Sequence, residues 1–255
     1  MSQTSRREAT RNHFNSTTPS DYQQSIRQKK KTKQIIPTII MQLSQKHPKP
    51  EKVEPFSHYL EILARTHGRP EVFDDFLTLV ICVFSMKRKE DEYFRIFHQY
   101  TNDEFKNFSK ALGSLVIEMD RHQFEDPFAD YFQEAISKGH NSQYFTPDCV
   151  GTLMSAITMQ NAIASDNKIY DSACGSGGLL LAAAKKDRTA YFIGCDISEM
   201  CCKMAVINLC LNSLRGEVWH MNTLSLQAWH KWEVTYISGT KLPYIIERTV
   251  TNSSL

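Results

Sequence analysis

A strand, a glycine-rich turn and a helix are predicted in direct succession between Ile169 and Ala184, and this segment constrains the fold most. Ile169 to Asp171 is typical of a short strand, Ser172 to Gly178 of a turn, and Leu179 to Ala184 of a helix. Glycines permit positive φ angles and close approach of a ligand, and a helix start offers free amides to an anion. The segment predicts a nucleotide-like cofactor, although such a turn alone can also simply connect a strand with a helix.

Two acidic residues at predicted strand ends narrow the class of cofactor. Asp171 ends the first strand, where a carboxylate attracts an ammonium group and repels a pyrophosphate. Asp196 ends a second apolar strand, Tyr191 to Cys195, in the place where α/β folds bind ribose hydroxyls. The loop also lacks the G-x-G-x-x-G pattern of dinucleotide-binding proteins. We therefore expect a ligand that carries both a cation and a ribose.

The order of patterns along the chain predicts an α/β fold preceded by helices. After Gly139, strand-like runs at 168–170, 191–195, 218–221 and 234–238 alternate with helical ones, which is typical of a parallel sheet. Before it, apolar residues recur at helical spacing. The predicted regions are a disordered basic arm and linker at 1–50, a helical N-terminal subdomain at 51–138, and a partial Rossmann-like domain at 139–255.

The helical region contains two further groups of residues whose side chains could take part in chemistry. Its aromatic side chains are interpreted as core, because they fall on helix faces. Glu125 and Asp126 are adjacent acids, but nothing in their spacing favours an acid-base pair. They are interpreted as part of a solvated surface.

The charge of the chain is concentrated at its beginning. Met1 to Lys33 holds eight Lys and Arg residues against two acids, and the remainder carries a net charge of −4. Such an arm can contact nucleic acid phosphates, so DNA is an expected partner. The alternative is a solvated, disordered tail, which the composition supports equally. A nuclear-import signal at Gln28 to Lys33 is a weaker alternative.

Composition argues against a metal site and against a membrane protein. The seven cysteines form no C-x-x-C pair, and the nine histidines are scattered, so reduced buried thiols explain the cysteines better than zinc does. No apolar run has the length of a bilayer span, and Met1 to Thr10 lacks the apolar core of a secretory signal. We expect a cytoplasmic protein without a metal.

Several blocks together resemble the adenine-specific (N6) DNA methyltransferases, in particular the modification subunit of type I restriction systems. Gln143-Tyr144-Phe145-Thr146-Pro147 is similar to Q-[YF]-[YF]-T-P, and Asp171 to Gly178 is similar to D-P-[AT]-C-G-S-G, with Ser172 in place of the proline. Gly194 to Ile197 resembles the strand that ends at the ribose, and His220 to Leu224 the turn beside the adenine. Singly, Pro147 could begin an ordinary helix and Asn222 could form a turn.

The resemblance implies S-adenosylmethionine as the cofactor and assigns roles residue by residue. Phe145 and Thr146 would hold the methionine part, Asp171 its ammonium, and the backbone of Gly175 to Gly178 its carboxylate. Asp196 would bind the ribose, and Asn222 and Leu224 would flank the adenine. The implied cofactor site comprises Gln143, Tyr144, Phe145, Thr146, Pro147, Asp171, Ala173, Cys174, Gly175, Ser176, Gly177, Gly178, Asp196, Ile197, Asn222 and Leu224.

One block of the family, the catalytic tetrapeptide [NDS]-P-P-[YF], occurs nowhere in the 255 residues. The family uses it to accept the protons of the adenine amino group and to stack on the flipped base. Gly239 to Tyr244 is interpreted as a degenerate counterpart, with Lys241, Pro243 and Tyr244 as remnants. Lys241 would be a donor where an acceptor is required.

Three functions remain open from the sequence. The first is a cofactor-binding member that transfers no methyl group. The second is an active methyltransferase, either through a divergent mechanism or with a partner chain that completes the sheet or reads the DNA target, because Leu255 lies too early for the last three strands and for a target-recognition segment. The third is an interaction scaffold in which the glycine loop is a relic.

Overall fold

The computed structural model of the chain describes residues 54–137, 145–159, 167–240 and 242–250. The predicted arm and the predicted boundary near residue 50 lie outside these residues. Residues 49–255 form one structural unit. The boundary near residue 138 also falls outside the described part and stays a prediction.

Helices make up the first part of the described chain, as the apolar spacing predicts. The α2 helix is apolar almost all round, with ten buried residues, and is therefore the central helix of this region. Thr101 and Glu104 form a capping box at the start of α4, in which each side chain bonds the backbone N–H of the other residue. These helices are α1 (Phe56–His67), α2 (Arg69–Phe84), α3 (Glu90–Phe97), α4 (Asn102–Arg121) and α5 (Ala129–Tyr131), the last followed by a π-helical turn (Phe132–Ser137).

The second part contains a five-stranded sheet in the order β1-β2-β3-β4-β5. Strands β1 to β3 are parallel and are connected by helices, whereas β4 and β5 are antiparallel to their neighbours. The two β-α-β units give the Rossmann-like architecture that the alternating pattern predicts. The elements are α6 (Asp148–Thr158), β1 (Lys168–Asp171), α7 (Gly178–Ala184), β2 (Tyr191–Asp196), α8 (Glu199–Leu211), β3 (Gly216–Asn222), β4 (Gln227–Tyr236) and β5 (Pro243–Thr249).

Helix α8 is the centre of the core between the sheet and the helical region. Ten of its thirteen residues are buried, because it packs on β2 to β5 with one side and on α2 with another. The Lys203 Nζ donates to Asp74 Oδ1 of α2 at 2.8 Å and to Thr78 Oγ1 at 3.2 Å, and it lies 3.2 Å from Glu199 Oε1. A buried lysine is stable as a cation only with such partners. This ion pair therefore ties α2 to α8.

The antiparallel half of the sheet places the β4–β5 hairpin away from the ends of β1 and β2. Strand β4 begins opposite Asn222, at the carboxyl end of β3, and runs back so that Val234 lies opposite Gly216, the first residue of β3. Tyr236 then pairs with Pro243. The hairpin turn therefore lies at the edge of the sheet where the parallel strands start. No helix within the described residues is long and apolar enough to span a bilayer.

Candidate cofactor-binding site

A cleft of about 1000 Å³ lies at the carboxyl ends of β1 and β2, where open α/β sheets bind their ligands. Its volume is at the upper end of the range for small-molecule sites, about 300–1000 Å³. Most of the predicted cofactor residues line it. These are Phe145, Thr146, Pro147, Asp171, Ala173, Cys174, Gly175, Ser176, Gly178, Asp196 and Ile197.

The wall of the cleft is strongly acidic. No Lys or Arg is among its described lining residues, although Lys185 lies just outside and donates to Asp148 at 2.9 Å. A surface of one sign raises the local concentration of ligands of the opposite sign. The cleft therefore favours a cation and disfavours a pyrophosphate. The six carboxylates are Glu125, Asp126, Asp130, Asp148, Asp171 and Asp196.

Asp171 has one carboxylate oxygen without a partner. Its Oδ1 accepts a hydrogen bond from the Ala173 N–H at 3.1 Å, whereas its Oδ2 is buried and has no hydrogen-bond partner in the described residues. Burial raises the pKa of this carboxyl group; the Ala173 N–H opposes the rise and the nearby Asp196 adds to it. A buried carboxylate of this kind is stabilised by a positively charged donor. The geometry fits an ammonium group of a ligand.

Asp196 is held by the backbone on both sides. Its Oδ2 accepts from the Gly175 N–H at 2.9 Å, and its Oδ1 accepts from the Ser198 N–H at 2.8 Å. Ser198 in turn caps α8, since its hydroxyl accepts from the Cys201 N–H at 3.4 Å. Each carboxylate oxygen retains a lone pair for a ligand hydroxyl. The end of β2 is thus fixed in place before a ligand arrives.

Position 175 needs a glycine because the ring of Phe145 leaves no room for a side chain. Its φ angle is +53°, and a Cβ at this position would lie 2.8 Å from two carbon atoms of the Phe145 ring. The same ring contacts Phe132 of the π-helical turn at 5.4 Å between centroids. The predicted block around Phe145 and the glycine loop therefore meet directly, with the helical region behind them.

Gly177 has a different function from the one the resemblance implies. Its φ angle is +90°, and a Cβ would lie 3.4 Å from Ala205 of α8. Gly177 is absent from the described lining of the cleft, and its N–H donates to the Cys174 carbonyl at 2.8 Å. Because Gly177 has no side chain, the loop can pack closely on α8.

Asn222 and Leu224 do not line the cleft. The Asn222 Oδ1 accepts from the N–H groups of Leu224 and Ser225 at 3.0 and 3.2 Å, so Asn222 forms the turn that was its alternative interpretation. Leu224 is 97% exposed. Gln143 and Tyr144 lie outside the described residues.

The interpretation of Gly239 to Tyr244 as the catalytic turn is wrong. Pro243 and Tyr244 belong to β5, whose start lies at the opposite edge of the sheet from Asp171 and Asp196. The Tyr244 ring packs under the Arg88 guanidinium at 5.4 Å. Lys241 lies outside the described residues. A strand-like sequence does not reveal which strand it pairs with, and β4 pairs antiparallel to β3.

The interpretation of Asp126 as part of a solvated surface is also wrong. Asp126 lines the cleft, and its carboxyl group accepts hydrogen bonds from Ser176, from Asn208 and from the Phe128 N–H. Sequence analysis missed it because its partners lie 50 and 82 positions away along the chain. The exposed Glu125 fits the solvated interpretation, although it stands at the rim of the cleft.

Other lining residues carried no sequence signal for a site. Asp148 and Gly151 lie on the first turns of α6, while Asp130 and Gln133 lie on the helical stretch before it. No cluster of three or more His, Cys, Asp or Glu side chains in the described residues has the geometry of a metal site.

The sequence profile of the N-6 DNA methylase family matches residues 123–247. This range contains the glycine loop, both strand-end carboxylates and Asp126. Through these residues, the segment 123–247 is similar to the N-6 DNA methylases. The family implies S-adenosylmethionine as the cofactor, and the unpartnered Asp171 oxygen in an acidic cleft fits its ammonium and sulfonium groups.

Individual proteins are also similar to this chain. The methylase subunit of the type I restriction enzyme MpnII from Mycoplasma pneumoniae is 26% identical over 140 residues, which cover 48% of this chain and 26% of the relative. The chain thus spans about a quarter of that relative's length. A crystal structure from Listeria monocytogenes, assigned to the class I S-adenosylmethionine-dependent methyltransferases, aligns with a TM-score of 0.34 and 14% identity, over 64% of this chain and 51% of that one.

Proposed function

We propose that this chain binds S-adenosylmethionine in the acidic cleft and does not complete methyl transfer with these residues alone. The observation that supports it most directly is the buried Asp171 Oδ2, which lacks a partner among the described residues. The ligand's ammonium group would supply that partner as a charge-assisted hydrogen bond. When bound, S-adenosylmethionine supplies an electrophilic methyl group.

Residues at the ends of β1 and β2 would fix the rest of the cofactor. Asp196, already oriented by two backbone N–H groups, would accept the ribose hydroxyl protons. The glycine loop uses the N–H groups of Gly175 and Gly177 for its own bonds. The N–H groups of Ser176 and Gly178 would bind the cofactor carboxylate. Phe145 would cover the methionine part.

The missing catalytic tetrapeptide supports the second half of the proposal. The amino group of adenine is a poor nucleophile until acceptors bind its protons. No [NDS]-P-P-[YF] sequence is present, and the β4–β5 hairpin lies at the wrong edge of the sheet to replace it. These residues therefore provide a cofactor site without an evident acceptor for the target base.

Isothermal titration of the full chain with S-adenosylmethionine tests the cofactor site. We expect saturable binding that weakens by about tenfold or more in Asp171→Asn, because a charge-assisted hydrogen bond contributes about 1.5–3 kcal/mol. Asp130→Asn is the matched control, since it removes an exposed carboxylate of the same cleft. Absence of heat at millimolar ligand would leave the scaffold function in its place.

Radiolabelled methyl transfer to mixed genomic DNA tests the catalytic half. We expect no label above background with the chain alone. Label that disappears in Asp171→Ala but persists in Lys241→Ala would contradict the proposal and establish an active enzyme with a divergent mechanism.

A second candidate function is an active methyltransferase that needs a partner chain. Within the described residues, β1 pairs on one side only, and Tyr170 on it is 59% exposed. Met154 of α6, which lines the same groove as Tyr170, is 46% exposed. A strand added to β1 would cover this apolar surface. Methylation of DNA that requires both this chain and a second chain with the tetrapeptide would favour this function.

DNA binding through the basic arm is a separate part of the proposal. The eight cationic side chains between Met1 and Lys33 would contact phosphates. We expect DNA affinity to fall with salt and to be reduced when residues 1–33 are deleted. Unchanged affinity after the deletion would show that the arm is a plain tail.

A further inference from the structure

A network of polar side chains joins the segment before α5 to the glycine loop and to α8. We call it the Asp126 network, and its members are Phe124, Asp126, Ser176, Asn208 and Asn212. The Ser176 hydroxyl donates to Asp126 Oδ2. The Asn208 Nδ2 and the Phe128 N–H each donate to Asp126 Oδ1 at 3.0 Å.

Asn208 binds the loop and the carboxylate with the same amide group. Its Nδ2 also donates to the Ser176 carbonyl at 2.9 Å, so two acceptors fix which way the amide faces. Asn212 continues the network, since its Nδ2 donates to the Asn208 carbonyl at 2.9 Å and its Oδ1 accepts from the Phe124 N–H at 2.8 Å. Asn208, Asn212 and Ser176 are all buried.

The network lies directly behind the surface that would receive the cofactor. Asp126 and Ser176 both line the cleft. A Cβ placed on Gly178, the first residue of α7, would lie 3.9 Å from Asp126 Oδ2. The Asp126 carboxylate therefore holds the loop at its middle residue, Ser176, while Asp196 holds it at Gly175.

The chemistry of the network favours an ionised Asp126. Burial raises the pKa of its carboxyl group, but Ser176, Asn208 and the backbone N–H groups of Phe128 and Ala129 all favour the charged form. Four donors match the lone pairs of a carboxylate, and a protonated acid could not accept from all of them. A buried charge with this many donors orders the groups that surround it.

We propose that Asp126 is a positioning residue of the glycine loop, acting through Ser176 to set the loop geometry that binds the cofactor. The part that concerns the cofactor rests on the proposed function. The part that concerns the loop does not depend on any ligand. The two can therefore be measured separately.

Hydrogen exchange of the ligand-free full chain tests the loop. The reporters are the N–H groups of Gly175 and Gly177, which are bonded within the site. We expect them to exchange about tenfold faster in Asp126→Ala and in Ser176→Ala, with β3 amides as the reference for global unfolding. Asp126→Asn should lie between the wild type and Asp126→Ala, because its oxygen can still accept from Asn208 and Phe128, whereas its NH2 group can only donate to Ser176 Oγ. Asp130→Ala, which removes an exposed acid of the same cleft, should have no effect.

Titration with S-adenosylmethionine then tests the consequence for binding. We expect about tenfold weaker affinity in Asp126→Ala and partial recovery in Asp126→Asn, since the loss of a bond to a charged group changes affinity by about that factor. If Asp126→Ala does not fold, Ser176→Ala alone tests whether the bond between Asp126 and Ser176 positions the loop. Unchanged loop exchange in both, or unchanged affinity with a fast-exchanging loop, would overturn the proposal. If the wild type binds no cofactor, the proposed function fails and the exchange rates alone decide the positioning role.

Discussion

At the scale of single residues, the negative charge of Asp171 favours the binding of a cation but lowers the stability of the ligand-free protein. Burial raises the pKa of the Asp171 carboxyl group, and one carboxylate oxygen has no hydrogen-bond partner among the described residues. A carboxyl group whose pKa is raised by folding contributes stability below its ordinary value of 3.8, and that contribution is lost as the pH rises through the folded value. The residue best suited to bind a cation is thus one that weakens the free protein at neutral pH.

Asp171→Asn should therefore melt at a higher temperature than the wild type at pH 7. The difference should shrink toward pH 4, where the wild-type carboxyl group is increasingly protonated. Thermal unfolding of both proteins across this range, without ligand, measures it. A lower melting temperature for the variant at pH 7 would mean that the charged form already has a stabilising partner.

Alanine substitutions at Gly175 and Gly239, which both have positive φ angles, distinguish the cost of backbone strain from the cost of a clash with Phe145. Gly175→Ala should lower the free energy of unfolding by about 2–3 kcal/mol, since it adds a clash at 2.8 Å to the strain of a left-handed backbone. Gly239→Ala, at φ +76° with no described residue within 4 Å of the added Cβ, should cost only about 1 kcal/mol. Urea unfolding compares them. Equal losses would show that the Phe145 ring simply moves aside.

At the scale of elements, the sequence predicts what is local and misses what depends on pairing. The β1–turn–α7 unit is predicted because its strand, glycines and helix are contiguous in the chain. The strand character of Val234 to Tyr236 is also predicted, but its antiparallel place beside β3 is not. Asp126 is missed for the same reason, because its partners come from other elements.

The ion pairs of Lys203 allow a prediction about how α2 and α8 are held together. Lys203→Met should change the free energy of unfolding by no more than about 1 kcal/mol, because Asp74 and Glu199 are 41% and 48% exposed and can be hydrated. Lys203→Ala should cost about 2–3 kcal/mol, since it also removes the packing of the buried stem. Chemical denaturation of both variants checks this. If Met costs as much as Ala, the charge itself is the stabilising part.

At the scale of the whole molecule, residues 49–255 are expected to unfold together. The Lys203 ion pairs and the Asp126 network both join the helical region to the α/β region. All three tryptophans, Trp219, Trp229 and Trp232, lie in β3 and β4, so their fluorescence reports on the sheet, while the ellipticity at 222 nm follows the helices. The two melting curves should coincide within about 2 °C. Separate midpoints would instead support independent domains divided near residue 138.

The absence of Lys and Arg from the described cleft wall also bears on how the chain meets small ions. Any small cation in solution, such as Mg²⁺ or a polyamine, is attracted to the carboxylates of the cleft in which Asp171 would bind the ammonium group. The basic arm draws anions instead. Raising the salt would therefore weaken both attractions at once, that of the cleft for its cationic ligand and that of the arm for phosphates. In the cell, a rise in ionic strength would weaken cofactor binding in the cleft and DNA binding by the arm together, although the two sites share no residues.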